Sequence, residues 1–167
     1  LAFGALTREV PGTPAERAAS AVAAAEIEAT KFGASTITVL AIDSAGVGVA
    51  NLGDSGFLHL RSKEWGMEII ERSREQNHGW NCPYQLTRVP EKLASSCGAR
   101  FDHAADCHRY PLSVQAEDLL LLFTDGLTDN LHWYEIVKEV NDALGSAAEG
   151  CLHQRISPEV IARTLVL

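Results

Sequence analysis

The sequence predicts an α+β domain built on antiparallel sheet. Three observations carry that prediction. β-branched and apolar runs follow one another across short glycine turns. Helical patterns lie before and after this block rather than between its strands. The strand–helix–strand alternation that a parallel sheet needs is missing. With 167 residues the chain is long enough to bury one core and short for two, so a single domain over 1–167 is expected.

Thr13-Pro14-Ala15-Glu16 has the pattern of a capping box with proline at the first helical position. It opens an alanine-rich helix over about 13–32, closed by Gly33. Ser35 to Asp43 is β-branched and apolar, the pattern of a buried strand. Ser44-Ala45-Gly46 turns the chain, and Val47 to Leu52 returns as its hairpin partner. Gly53-Asp54-Ser55-Gly56 then leads into strands at Phe57 to Arg61 and Met67 to Arg72, with Gly66 between them. Residues 73–110 are polar, with Pro83 and Pro90 and little periodicity, and so long a stretch points to function or mobility. Asp118 to Thr124 is a continuous apolar run, expected to be a strand buried on both faces. The sheet core thus covers about 33–130. An amphipathic helix over Leu131 to Leu144 and a last one opening at Ser157-Pro158 fill about 131–167.

Composition narrows the partners. A net charge of −8 argues against nucleic acid, because binding a phosphate backbone needs clustered Lys and Arg. No apolar run approaches the roughly 18 residues of a membrane span, and no secretory leader pattern opens the chain. Cys82, Cys97, Cys107 and Cys151 form no CxxC pair, so isolated reduced thiols are expected. The chain opens on Leu1 rather than methionine, the mark of a processed or excerpted segment.

Residues 51–56, NLGDSG, pose the functional question. Gly-Asp-Ser-Gly is the setting of an activated serine, with Asp129 and His132 as orienter and base. Against it, two strands precede Ser55, no helix follows Gly56, and the likeness to GDS-type esterases is thin. The other reading gives the chemistry to carboxylates. Leu52-Gly53-Asp54 and Phe123-Thr124-Asp125-Gly126 share one design, an apolar strand that ends in a turn carrying an aspartate. A carboxylate on such a rigid edge suits Mg²⁺ or Mn²⁺ with bound water. Asp-Gly alone is also an ordinary turn.

Five segments in order carry a family resemblance: Gly33-Ala34-Ser35-Thr36, Ala50 to Phe57, Arg72 to His78, Asn81 to Leu86, and Thr124 to Asn130. Together the chain resembles the metal-dependent type 2C serine/threonine protein phosphatases, in the organellar branch typified by yeast Ptc-seven. The resemblance implies a four-layer αββα sandwich of antiparallel sheets. It also implies a pair of Mn²⁺ or Mg²⁺ ions whose bridging hydroxide attacks phosphoserine or phosphothreonine in a phosphoprotein substrate. By that match Asp125 binds a core metal, Asp54 belongs to a third and weaker one, and Ser55 is no nucleophile. The branch implies a mitochondrial location, with the plastid as alternative.

The match is partial or degenerate. The family's first Asp-Gly motif has no counterpart, since Phe3-Gly4-Ala5 lacks a carboxylate, and its C-terminal aspartate motif is absent too. One core ligand cannot hold two ions. Either the remaining motifs lie outside this chain, or it is a catalytically inactive phosphatase-like subunit of a larger protein assembly. Asp102-His103-Ala104-Ala105-Asp106-Cys107-His108 has zinc-ligand residue types but reads first as a surface loop. Arg72-Ser73-Arg74-Glu75 reads as a solvated strand exit, with Arg72 a candidate for a bound phosphate. Trp80 and Tyr84 read as packing for the long loop.

Overall fold

A computed structural model describes residues 11–97, 101–148 and 157–166. The expectations for Phe3-Gly4-Ala5 and Cys151 fall outside them. In chain order the elements are α1 (Pro14–Glu28), β1 (Gly33–Ser35), β2 (Ile37–Asp43), β3 (Gly46–Leu52), β4 (Gly56–Lys63) and β5 (Gly66–Arg72). Then come β6 (Asn77–Gly79), β7 (Cys82–Pro83), β8 (Leu86–Arg88), α2 (Glu91–Cys97), a 3-10 turn at Ala104–Asp106, and β9 (His108–Leu112). Last are β10 (Leu119–Phe123), α3 (Asp125–Thr128), α4 (Trp133–Ala148) and α5 (Pro158–Thr164). The class is α+β, and its hairpins pair antiparallel as expected.

The chain divides into two compact units. The first takes the stretch up to Phe57 and Ser73–Val114; the second takes Leu58–Arg72 and the stretch from Gln115 on. In the first unit β3 lies between β2 and β9, pairing Leu52 with Ile37 and Asn51 with His108. A helix covers one face of this central strand, and six of the seven β3 residues are buried. The helix is α1. Its Thr13 hydroxyl accepts from the Glu16 amide, while the Glu16 carboxylate accepts from the Thr13 amide at 2.7 Å. Ala18, Ala19, Ala21 and Val22 pack with Val39, Ala41, Ala50 and Leu52. Small side chains let the helix come so close that a Cβ on Gly48 would stand 2.6 Å from Ala15 Cα. The helix ends at Glu28, short of the expected bound near residue 32, because Ala29 already turns to an extended backbone (ψ 117°); Gly33 lies in β1, paired with Arg88 of β8.

In the second unit β4 lies between β10 and β5. Leu58, Leu60 and Met67 join Ile136 and Val140 of α4 and Ile161 of α5 in a separate core. Ile136 and Val140 are fully buried, each contributing roughly 1.5–3 kcal/mol of hydrophobic stabilisation. Asn141 fixes α4 to β5 by accepting from the Met67 amide at 2.7 Å. One expectation is overturned here. β10 is not buried on both faces: it ends the order of strands, only its Leu119, Leu121 and Phe123 pack on the core, and Leu122 is 44% exposed. Among the described residues no helix is long and apolar enough to cross a membrane.

Candidate functional site

Asp54 sits in the first unit, on a bend between β3 and β4, and is half-buried. The bend is held by neutral hydrogen bonds that its neighbours make. Gly53 has φ +99°, a conformation open chiefly to glycine. Its carbonyl accepts from the Gln76 amide at 3.1 Å, and its amide donates to Gln76 Oε1 at 3.3 Å. Gln76 Nε2 in turn donates to the Asp106 carbonyl at 2.7 Å. Buried Asn51 donates to the Gly53 carbonyl and accepts from the Thr38 hydroxyl. Ser55 is buried, and its hydroxyl shares a 2.8 Å hydrogen bond with Thr36. A threonine cannot act as the base a nucleophilic serine requires. Ser55 therefore shapes the bend.

Asp125 sits in the second unit, exposed, at the head of α3 directly after β10. Its Oδ1 accepts from the Gly126 amide at 2.9 Å and its carbonyl from the Asp129 amide at 2.7 Å. Asn130 Nδ2 donates to the Gly126 carbonyl at 2.8 Å, closing a tight helical turn that presents the carboxylate to solvent. His132, the other half of the esterase-like pair, is exposed and stacks on Tyr134.

The zinc-like run is already engaged residue by residue. Asp102 accepts from His78 Nε2 at 2.9 Å and from the Gln85 amide at 3.0 Å. His103 pairs with Glu26, and Asp106 accepts from the His103 amide. Cys107 is a free thiol in the first core, pushed up to about 11 by burial, and Cys82 is free and exposed. Tyr84 packs as expected, stacked on His78 at 4.1 Å. Trp80 does not: it stands 97% exposed in the turn between β6 and β7, which leaves an indole nothing to pack on.

A buried ionic cluster in the second unit has no counterpart among the expected residues. Asp118, with a side chain only 3% exposed, accepts from Arg61 Nε and Nη2 at 2.8 Å each and from His59 Nε2 at 2.7 Å. The Arg61 guanidinium holds the Asp118 carboxyl well below the usual carboxylate range. Because that carboxylate can only accept, His59 carries its proton on Nε2; its buried Nδ1 has no hydrogen-bond partner. The available sequence signal is His59 and Arg61 alternating with Leu58 and Leu60 on β4, since a buried strand must pair any charge it carries inward.

Among the described residues no three His, Cys, Asp or Glu side chains form a group able to hold a metal ion. Asp125 and Asp54 each offer a hard oxygen donor suited to Mg²⁺ or Mn²⁺, yet by themselves they do not make the donor set of a two-ion centre.

No protein-family model matches the chain. It is 40% identical over 111 residues to a protein phosphatase PTC7 homolog of Danio rerio, covering 65% of this chain and 35% of the relative. To the Homo sapiens PTC7 homolog it is 38% identical over 120 residues, covering 71% of this chain and 38% of the relative. The chain thus spans about a third of the length of these curated relatives. Among solved structures, the photosystem II phosphatase PBCP shares its fold, with a TM-score of 0.67 at 19% identity over 89% of this chain and 49% of that one. The chain belongs to the type 2C protein phosphatase family, on the branch of the PTC7 homologues.

Proposed function

We propose that the protein is a serine/threonine protein phosphatase. It would hydrolyse the phosphate monoester of phosphoserine or phosphothreonine, giving orthophosphate and the free hydroxyl. The observation that carries this reading is the 40% identity over 111 residues to a PTC7 phosphatase. Asp125 and Asp54, each in its own unit, are the carboxylates proposed to bind Mg²⁺ or Mn²⁺, and a two-ion centre needs donors beyond the described residues. The substrate is a phosphoprotein. The branch resemblance supports a mitochondrial location, with the plastid as alternative.

The test is phosphate release from a phosphothreonine peptide by the intact gene product in Mn²⁺. Chelator is expected to abolish release, and Asp125→Asn to lower it by roughly 100-fold or more. No release by the intact product sinks the reading. Among the described residues the donors fall short of a two-ion set, and the alternative reading is an inactive phosphatase-like subunit of a larger assembly. That reading requires stable co-purification with partners and no Mn²⁺ bound at Asp125 even at millimolar concentration.

A further inference from the structure

β5 ends on Arg72, whose guanidinium carbon lies 4.6 Å from the centroid of the Trp133 ring. Trp133 opens α4, and its ring meets Phe123 with centroids 5.8 Å apart. Phe123 closes β10, and the next two residues are Thr124 and Asp125. Arg72 over Trp133, and Trp133 tilted at 55° against Phe123, therefore form a continuous chain of contacts in the second unit, ending two residues from the exposed aspartate. Stacking occupies the flat face of a guanidinium and leaves its N–H donors free in the plane. Among the described residues those donors of Arg72 have no hydrogen-bond or ion-pair partner. This contrasts with Arg61, whose fork is taken up by Asp118.

A pre-positioned arginine fork is the group best matched to two oxygens of a phosphate monoester. In a chain of net charge −8, any fixed cation beside the site favours the approach of a phosphate dianion. We propose that Arg72, held on Trp133, binds the phosphoryl group of the phosphoserine or phosphothreonine substrate beside Asp125. The assignment rests on the phosphatase reading.

Calorimetric titration of the intact protein, with Mn²⁺ present, against a phosphothreonine peptide and its unphosphorylated twin tests it. Wild type is expected to prefer the phosphopeptide, and Arg72→Ala to lose about tenfold or more of that preference. Arg72→Lys should recover only part, since an ammonium keeps the charge without the fork. Thermal unfolding of the variants checks that the exposed position leaves the fold intact. An Arg72→Ala protein that folds and keeps the wild-type preference overturns the assignment while leaving the phosphatase reading untouched. A wild type that neither prefers nor cleaves the phosphopeptide overturns both. An Arg72-dependent preference without phosphate release upholds the assignment and passes the function to the inactive subunit.

Discussion

The two units solve the same problem, a carboxylate presented at the end of a strand, by opposite means. Around Asp54 the first unit relies on its uncharged neighbours. Asn51, Gln76, Ser55 and Thr36 hold the bend through neutral hydrogen bonds, many of them buried. Around Asp125 the second unit uses only a local helical turn, and it buries its charge at the other end of β10, where Asp118 meets Arg61 and His59. Neutral networks fix shape at modest cost and are insensitive to pH, whereas a buried ionic cluster ties the stability of its sheet to the charge of one residue.

The largest expected effect breaks the second unit. Asp118→Ala leaves the buried His59 imidazole and the half-buried Arg61 fork without the carboxylate they share, and should give the largest drop in the urea unfolding midpoint. The same cluster sets the pH response. Its folded-state ionisation lies below that of the unfolded chain, so the stabilisation is fully present above about pH 4 and drains away as pH falls below it. Wild type should lose stability over that acid range, and Asp118→Ala should lose distinctly less. Parallel acid curves for the two proteins would show that the cluster carries no net stabilisation.

The first unit is more sensitive to shape. Gly53→Ala puts a Cβ 2.6 Å from the Tyr84 carbonyl on a backbone with φ +99°. Strain and overlap together should cost about 2–3 kcal/mol, read as a lower unfolding midpoint in denaturant, with no change in pH dependence. A neutral Gly53→Ala would mean that the bend relaxes freely, and the contrast between the units would lose one side.

What could be read in advance divides along similar lines. α1, β2, β3, β5 and α4 announce themselves locally through a capping box, β-branched runs and an apolar stripe, each within a few residues of its expected bounds. β9 does not, because His108-Arg109-Tyr110-Pro111-Leu112 becomes a strand only by pairing with β3, and its edge position tolerates Pro111. The Asp118 cluster was equally hidden: its members stand 57 and 59 residues apart, and periodicity carries no information at that range. The apolar run of β10 suggested burial on both faces, but hydrophobicity alone does not say where in a sheet a strand will lie. Asp125 was visible because strand, turn and carboxylate are contiguous. The bend at Asp54 was visible as a motif, though not its dependence on Gln76, which lies 23 residues from Gly53.

The smallest expected effect separates the two readings of NLGDSG. Ser55→Ala removes one part-buried hydrogen bond, to the Thr36 hydroxyl, and leaves that hydroxyl to find another partner. The stability cost should be about 1 kcal/mol. If Ser55 only shapes the bend, phosphate release at a temperature well below unfolding should stay within about twofold of wild type, because 1 kcal/mol of global stability barely changes the folded population. A serine nucleophile behaves otherwise: its loss removes nearly all catalysis whatever the stability, and a fluorophosphonate probe labels the wild type and not the variant. The buried hydroxyl facing Thr36 makes the first outcome the expected one. Because Asp125→Asn is expected to act in the reverse sense, the pair of variants assigns the motif: a large activity loss at the exposed carboxylate with a small stability loss at the buried serine.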